Sequence, residues 1–329
     1  MVYNEPRIVG EGSYGCVVYP PVSCLKTDTS PVDKNRVGKI FRDKHQFKKE
    51  VRFSEKIEVI DPEHTSFLPI LGTCSTSIEN VMDHPVAYRC DNVKKSTRMN
   101  ARFHQILMPY GGNRIDKYFA AEKHTPVRSF VHITQPLIEG IQKLQQKGYC
   151  HQDIKLGNIL VTSTGRAMYI DFSLMIKLKD VFHSGNARKL KHSYFVYPLE
   201  YKVFYCLEYA PRAYTVQDIY QEYLKNLGDY QKLYANIHPN MHKEAVQFIK
   251  WAQKLKRTDH DRFYQTFQGF AAGVDVFSLG ATFLRLQKYM NKKDTTYTTL
   301  IDIIRHMTNI DPRRRYSIDD VAREYAILS

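Results

Sequence analysis

His151-Gln152-Asp153-Ile154-Lys155-Leu156-Gly157-Asn158-Ile159-Leu160-Val161 is followed, after a polar turn, by Met168-Tyr169-Ile170-Asp171-Phe172-Ser173. The apolar runs 159–161 and 168–170 read as two short strands. They carry two polar clusters back to one place, with Asp171 lying 13 residues after Asn158. The first cluster offers a carboxylate to take a proton, an ammonium to hold an anion and an amide oxygen for a metal. The second offers another metal-binding carboxylate.

That set suits phosphoryl transfer, which depends on positioning and charge neutralisation. In these residues the chain resembles the eukaryotic-type protein kinases, serine/threonine class. The family's H-R-D-x-K-x-x-N is met by His151, Asp153, Lys155 and Asn158, with Gln152 where arginine is usual. Its D-F-G is met by Asp171-Phe172-Ser173. The resemblance implies an α+β, bilobal fold within one kinase domain, with a small β-rich N-lobe over 1–109 and a larger helical C-lobe over 110–329. It implies that Asp153 and Lys155 are catalytic and that Asn158 and Asp171 bind metal. ATP and Mg2+, with Mn2+ as a substitute, are the implied cofactors. Lys155 points to serine/threonine rather than tyrosine substrates, because tyrosine kinases carry an arginine-containing loop there. The other reading is a catalytically weak pseudokinase used as a scaffold, invited by Ser173 in place of glycine.

Upstream, Gly10, Gly12 and Gly15 stand in a G-x-G-x-x-G-x-V pattern ending on Val17. A strand follows the glycines, as in a lid over ATP phosphates, where a dinucleotide fold would place a helix. Lys39, in Val37-Gly38-Lys39-Ile40-Phe41, takes the place of the family's phosphate-binding lysine. Residues 43–60 read as a helix, and either Glu50 or Glu55 pairs Lys39, with Glu50 preferred. Phe67 to Gly72 reads as a strand, and 75–101 as irregular. Gln105 to Gly112 resembles the fifth strand and hinge, with Met108, Pro109 and Gly111 contacting adenine. Asp116 either reaches ribose or caps a helix.

Downstream, Tyr197-Pro198-Leu199-Glu200 resembles A-P-E, Asp275 lies in a D-V-W-S-L-G-like run, and Arg315 in a D-P-x-x-R-P-S-like run. The resemblance pairs Arg315 with Glu200 and places Asp275 under the catalytic loop. Glu200 and Asp275 are 75 residues apart, so a largely helical insertion is placed near 205–268.

The chain has 329 residues, 43% of them hydrophobic, enough for a sizeable core. There is no apolar run of about 18 residues, so no membrane span is expected. Six cysteines without a C-x-x-C pair suggest reduced thiols in an intracellular, cytoplasmic setting. The loop style also resembles kinases of large DNA viruses, which would place the protein in host cytoplasm or in the virion. The formal charge is +14. Nucleic acid is left undecided, since no recognition-helix, zinc or RGG signature accompanies that charge. The expected partner is a protein substrate. Lys177, Lys179, Arg188, Lys189 and Lys191 between Asp171 and Glu200 make acidic sequence the expected preference.

Overall fold

The computed structural model describes residues 5–12, 15–25, 35–94, 102–183, 196–209, 214–228 and 230–328. It comprises two compact units, Met1–Gly112 with Ile170–Ser173, and Asn113–Tyr169 with Leu174–Ser329.

The first unit is built on an antiparallel sheet. Its elements are β1 (Arg7–Glu11), β2 (Cys16–Tyr19), β3 (Arg36–Phe41), α1 (Lys44–Ile60), β4 (Gly72–Ser77), α2 (Ile78–Asp83), α3 (Asp91–Lys94) and β5 (Arg102–Pro109). The strand order is β1-β2-β3-β5-β4. Helix α1 starts where the Asp43 side chain accepts from the His45 and Gln46 amides at 2.7 and 3.3 Å. It buries Glu50, Ile57 and Ile60. Gly38 in β3 is required by a neighbour: a Cβ there would lie 2.0 Å from Gln105 Oε1. The buried Gln105 amide in turn holds both the N–H and the carbonyl of Val22, each at 2.9 Å.

Three expectations need correction. The strand expected at Phe67 to Gly72 begins at Gly72 and runs to Ser77. Pro69 has no N–H for a ladder, which excludes its segment from the sheet interior. The stretch expected to be irregular, 75–101, contains α2, α3 and a 3-10 turn at Ala87–Arg89. Val81, Val86, Ala87 and Val93 pack there with Cys16, Val18 and Phe103 as one buried cluster. The thiols are not all reduced: Cys16 bonds Cys90 and Cys24 bonds Cys74. Sequence separations of 74 and 50 residues hid these pairs, because only the fold brings their Cα atoms to 6.1 and 5.9 Å.

The second unit is mainly helical. Its elements are β6 (Asn113–Arg114), α4 (Ile115–Glu122), α5 (Val127–Gln146), β7 (Tyr149–Cys150), β8 (Ile159–Val161), β9 (Ala167–Tyr169), β10 (Ile176–Lys177), α6 (Leu199–Tyr209), α7 (Val216–Leu227), α8 (Tyr230–Ile237), α9 (Met241–Thr258), α10 (His260–Phe270), α11 (Gly273–Leu286), α12 (Tyr297–Met307) and α13 (Ile318–Ile327). Helix α11 is buried along almost its whole length, which marks it as the unit's axis. The expected insertion supplies α7 to α10. Phe267 of α10 and Phe204 of α6 approach at 5.4 Å between ring centroids, and Phe182 lies 5.3 Å from Phe204. The insertion is thereby fused to the core through aromatic contacts. No single helix among the described residues is long and apolar enough to cross a membrane.

Closing loops of 74 and 50 residues removes about 4 kcal/mol of chain entropy each from the unfolded state. Thiol titration of protein unfolded without reductant should find two free thiols per chain, Cys150 and Cys206. Recovery of all six would show that the pairs do not form.

Candidate active site

In the first unit, Lys39 reaches Glu50 on α1, with Nζ 2.6 Å from Oε1 and 2.7 Å from Oε2. Glu55 is exposed and takes no part. Burial pushes the Glu50 carboxyl above its usual range; Lys39 offsets this only in part, and the negative charge of Asp171 adds to the upward push. The unit thus holds one cation among two carboxylates. Asp171 lies at φ 64, a left-handed conformation that a non-glycine residue rarely adopts. Its Oδ1 accepts from the Ser173 amide at 3.2 Å, and Phe172 packs edge-on against Phe67. Ser173 itself does not have positive φ. The backbone therefore does not demand glycine at that position.

Gly10 on β1, Gly12 just after it and Gly15 just before β2 lie in the same unit. The Gly12 amide donates to the Gly15 carbonyl at 2.9 Å, and a Cβ at Gly15 would sit 2.9 Å from the Ile40 carbonyl. Gly10 has open space around it, so its freedom is not consumed by packing. Val17 pairs with Lys39 across β2 and β3. Met108 pairs with Val37, and Pro109 with Arg36. The Tyr110 amide is taken by the Asn35 carbonyl.

In the second unit the catalytic-loop residues converge. Lys155 Nζ stands 3.0 Å from each Asp153 oxygen. Asn158 donates its Nδ2 to the Asp153 carbonyl at 2.9 Å and to Asp153 Oδ2 at 2.7 Å. The Asn158 amide is fixed by these bonds, and its Oδ1 is the end that remains to face a cation.

The loop is held from beneath by Asp275 at the start of α11. Its carboxylate accepts from the His151 amide at 2.6 Å and the Gln152 amide at 3.0 Å. Gln152 has φ 65, so the loop crosses a strained point there. Its side chain donates to the Tyr201 hydroxyl at 2.9 Å, and the Tyr197 hydroxyl donates to its carbonyl at 3.0 Å. Glu200 and Arg315 form a fully buried forked pair, with Nη2 3.0 Å from Oε2. Arg315 also donates to the Gly273 and Asn309 carbonyls. Asp116 does not cap α4; Arg114 grips it from two residues before, with Nε at 2.8 Å.

Sequence reading missed the tyrosine partners of Gln152 and the Gln105 bridge. A lone glutamine in the apolar run of β5 was the available signal for the latter. The basic residues Arg188, Lys189 and Lys191 lie outside the described residues.

Residues 4–204 match a family model described as protein tyrosine and serine/threonine kinase. A probable serine/threonine-protein kinase MRK1 homolog of Encephalitozoon cuniculi (strain GB-M1) is 23% identical over 171 residues, covering 51% of this chain and 43% of that protein. The chain thus matches less than half the length of that relative.

Replacing Arg315 with alanine strands the Glu200 carboxylate in the core. Urea unfolding of Arg315→Ala should show a loss of about 3–5 kcal/mol, largely recovered by adding Glu200→Gln. A loss below about 0.5 kcal/mol, the range of ordinary surface changes, would show that the pair is dispensable.

Proposed function

The chain belongs to the protein tyrosine and serine/threonine kinase family, and on that premise we propose that it is a catalytically active serine/threonine protein kinase. It moves the γ-phosphoryl group of ATP to a protein hydroxyl. The observation that carries this reading is the arrangement around Asp153. One carboxylate is oriented by the Asn158 amide and neutralised by Lys155 at hydrogen-bonding distance. A scaffold has no use for that arrangement, and an isolated buried charge would be costly.

The roles follow residue by residue. Asp153 orients the acceptor hydroxyl and takes its proton as the new bond forms. Lys155 balances the charge of the moving phosphoryl group. Lys39, steadied by Glu50, holds the α- and β-phosphates, and the backbone at Gly10, Gly12 and Gly15 with Val17 lies over the nucleotide. Met108, Pro109 and Gly111 face adenine. Asn158 Oδ1 and the Asp171 carboxylate are hard oxygen donors of the kind magnesium or manganese takes. The metal, when bound, supplies charge neutralisation on the phosphates.

Substrate preference is read from surface charge. A cavity of about 250 Å3 beside Lys155 is lined by Arg114, Asp116, Arg285 and Lys288 among others. Lys177 and Lys179 are exposed in the activation segment. Such surroundings favour acidic peptide sequence over basic sequence.

Incubation with labelled ATP and magnesium tests catalysis. Asp171→Asn and Lys39→Met should each lower transfer by about 100-fold or more while circular dichroism stays unchanged. Near-wild-type turnover of either variant would refute the assignment, and an inert wild-type protein would favour the scaffold. Casein should be phosphorylated better than histone, with the advantage shrinking as salt rises and in Lys288→Ala. A peptide-library preference for arginine or lysine beside the acceptor would refute the acidic preference alone.

A further inference from the structure

Gln152 directly precedes Asp153 and turns the chain through φ 65. A left-handed backbone at a long, non-glycine side chain persists only where its surroundings over-determine it. Here three polar groups of one residue are taken by three different side chains. The Gln152 amide donates to Asp275 Oδ1 at 3.0 Å. Its carbonyl accepts from the Tyr197 hydroxyl at 3.0 Å, and its Nε2 donates to the Tyr201 hydroxyl at 2.9 Å. The peptide unit between Gln152 and Asp153 is planar, so that carbonyl and the Asp153 amide turn together. Tyr197 holds one edge of the plane, and His151 Nδ1 accepts from the Asp153 amide at 3.3 Å on the other. Gln152 and both tyrosines are buried, so bulk water does not compete for these bonds.

The tyrosine rings are themselves held in place. Their centroids are 5.0 Å apart, and Phe182 lies 5.1 Å from Tyr201. Phe182 is fully buried and packs against Phe267 of α10 at 5.6 Å. Helix α10 belongs to the inserted helices between Glu200 and Asp275. A line of contacts therefore runs from the insertion through Phe182 and Tyr201 to Gln152. Glu200, the neighbour of Tyr201, is locked to Arg315, so the backbone beneath the ring is fixed as well. Burial pushes the ionisation of the Tyr201 hydroxyl well above its ordinary value, and the nearby Cys150 and Tyr197 push the same way. The group stays a neutral hydroxyl that accepts from Gln152.

We propose that Tyr201 and Tyr197 are positioning residues for phosphoryl transfer: their hydroxyls hold Gln152 in its left-handed turn and so aim Asp153, and α10 braces them through Phe267 and Phe182. A phenylalanine at either position would fill the same space, so packing alone does not require the hydroxyls. Both hydroxyls converge on the one residue whose backbone angle delivers Asp153, one on its main chain and one on its side chain. The inserted helices are thereby part of the frame that shapes the catalytic loop. The effect on transfer rests on the protein-kinase reading, whereas the placement of the loop does not.

Tyr201→Phe and Tyr197→Phe keep the rings and remove the hydroxyls. Each should lower kcat on casein about fivefold, the scale of one neutral hydrogen bond, while KM for ATP stays within about twofold of wild type. Amide hydrogen exchange, read by mass spectrometry on a peptide covering 149–155, should become about fivefold faster in each variant. Adding Tyr201→Phe to Gln152→Leu should cost nothing further, because the hydroxyl acts through that side chain. Tyr205→Phe, on the same helix but without a hydrogen bond to the loop among the described residues, should leave both readouts at the wild-type value. Phe267→Leu should move both in the direction of Tyr201→Phe. Unchanged kcat and exchange in Tyr201→Phe, additive losses in the double variant, or an equal response in Tyr205→Phe overturns the assignment. An unchanged loop in Phe267→Leu overturns the bracing by α10. An inert wild-type protein whose loop exchange still rises in Tyr201→Phe would remove the kinase reading and leave the positioning of the loop.

Discussion

The carboxylate of Asp275 is the constraint on which the catalytic loop depends. Two consecutive amides, His151 and Gln152, point into the protein and would be unsatisfied without it. They point inward because Gln152 turns the chain through φ 65, and that turn delivers Asp153 to Lys155 and Asn158. The strain of the turn is held by charge-assisted hydrogen bonds from a buried, rigid helix. The neighbouring Cys150 stays a thiol, since burial pushes its ionisation up and the charge of Asp275 pushes the same way. Asp275 thus sets the position of the loop through the loop's own backbone amides.

The same helix start serves a second purpose. Gly273, two residues before Asp275, gives its carbonyl to Arg315, whose guanidinium is committed to Glu200 and stacked over Phe277 at 4.9 Å. A Cβ at Gly273 would press to 3.2 Å from Arg315 Nη1. The buried pair therefore locks the first turn of α6 to the base of α11. The insertion of α7 to α10 joins these two helices in sequence, and its aromatic side chains pack against α6. Its length is tolerated because its ends were already fixed together.

Much of the site was legible because its chemistry is written in residue types that carry few alternatives. Asp153, Lys155 and Asn158 lie within six residues, so local backbone geometry alone brings them together. Lys39 and Glu50 are 11 residues apart, and the helix face shared with Phe47, together with the family-like Val51 that follows, favoured Glu50 over Glu55. What stayed hidden depended on distant partners. Gly38 reads as a weak strand residue until Gln105 is placed against it. Cys16 and Cys90 read as unrelated until the sheet and α3 are built. Phe67 to Gly72 has the apolar content of a strand, but Pro69 cannot donate, and the polar Gly72–Ser77 takes the ladder instead. Tertiary hydrogen bonds from Leu25 to the Ser75 carbonyl and from Thr76 to the Ser23 carbonyl make that choice.

The two disulfides fall in one unit and the two free thiols in the other, and size explains the division. The second unit has a long buried helix and large aromatic clusters, so cross-links add little that packing does not already supply. The first unit has one sheet with a polar β4 and a smaller core, which gains more from covalent closure. Both bonds tie peripheral segments to strands: Cys24 fastens the chain after β2 to β4, and Cys90 fastens the α2–α3 segment to β2. Cys16 directly follows Gly15. The start of β2, beside Gly15, is therefore anchored covalently, while Gly10 on β1 has open space around it.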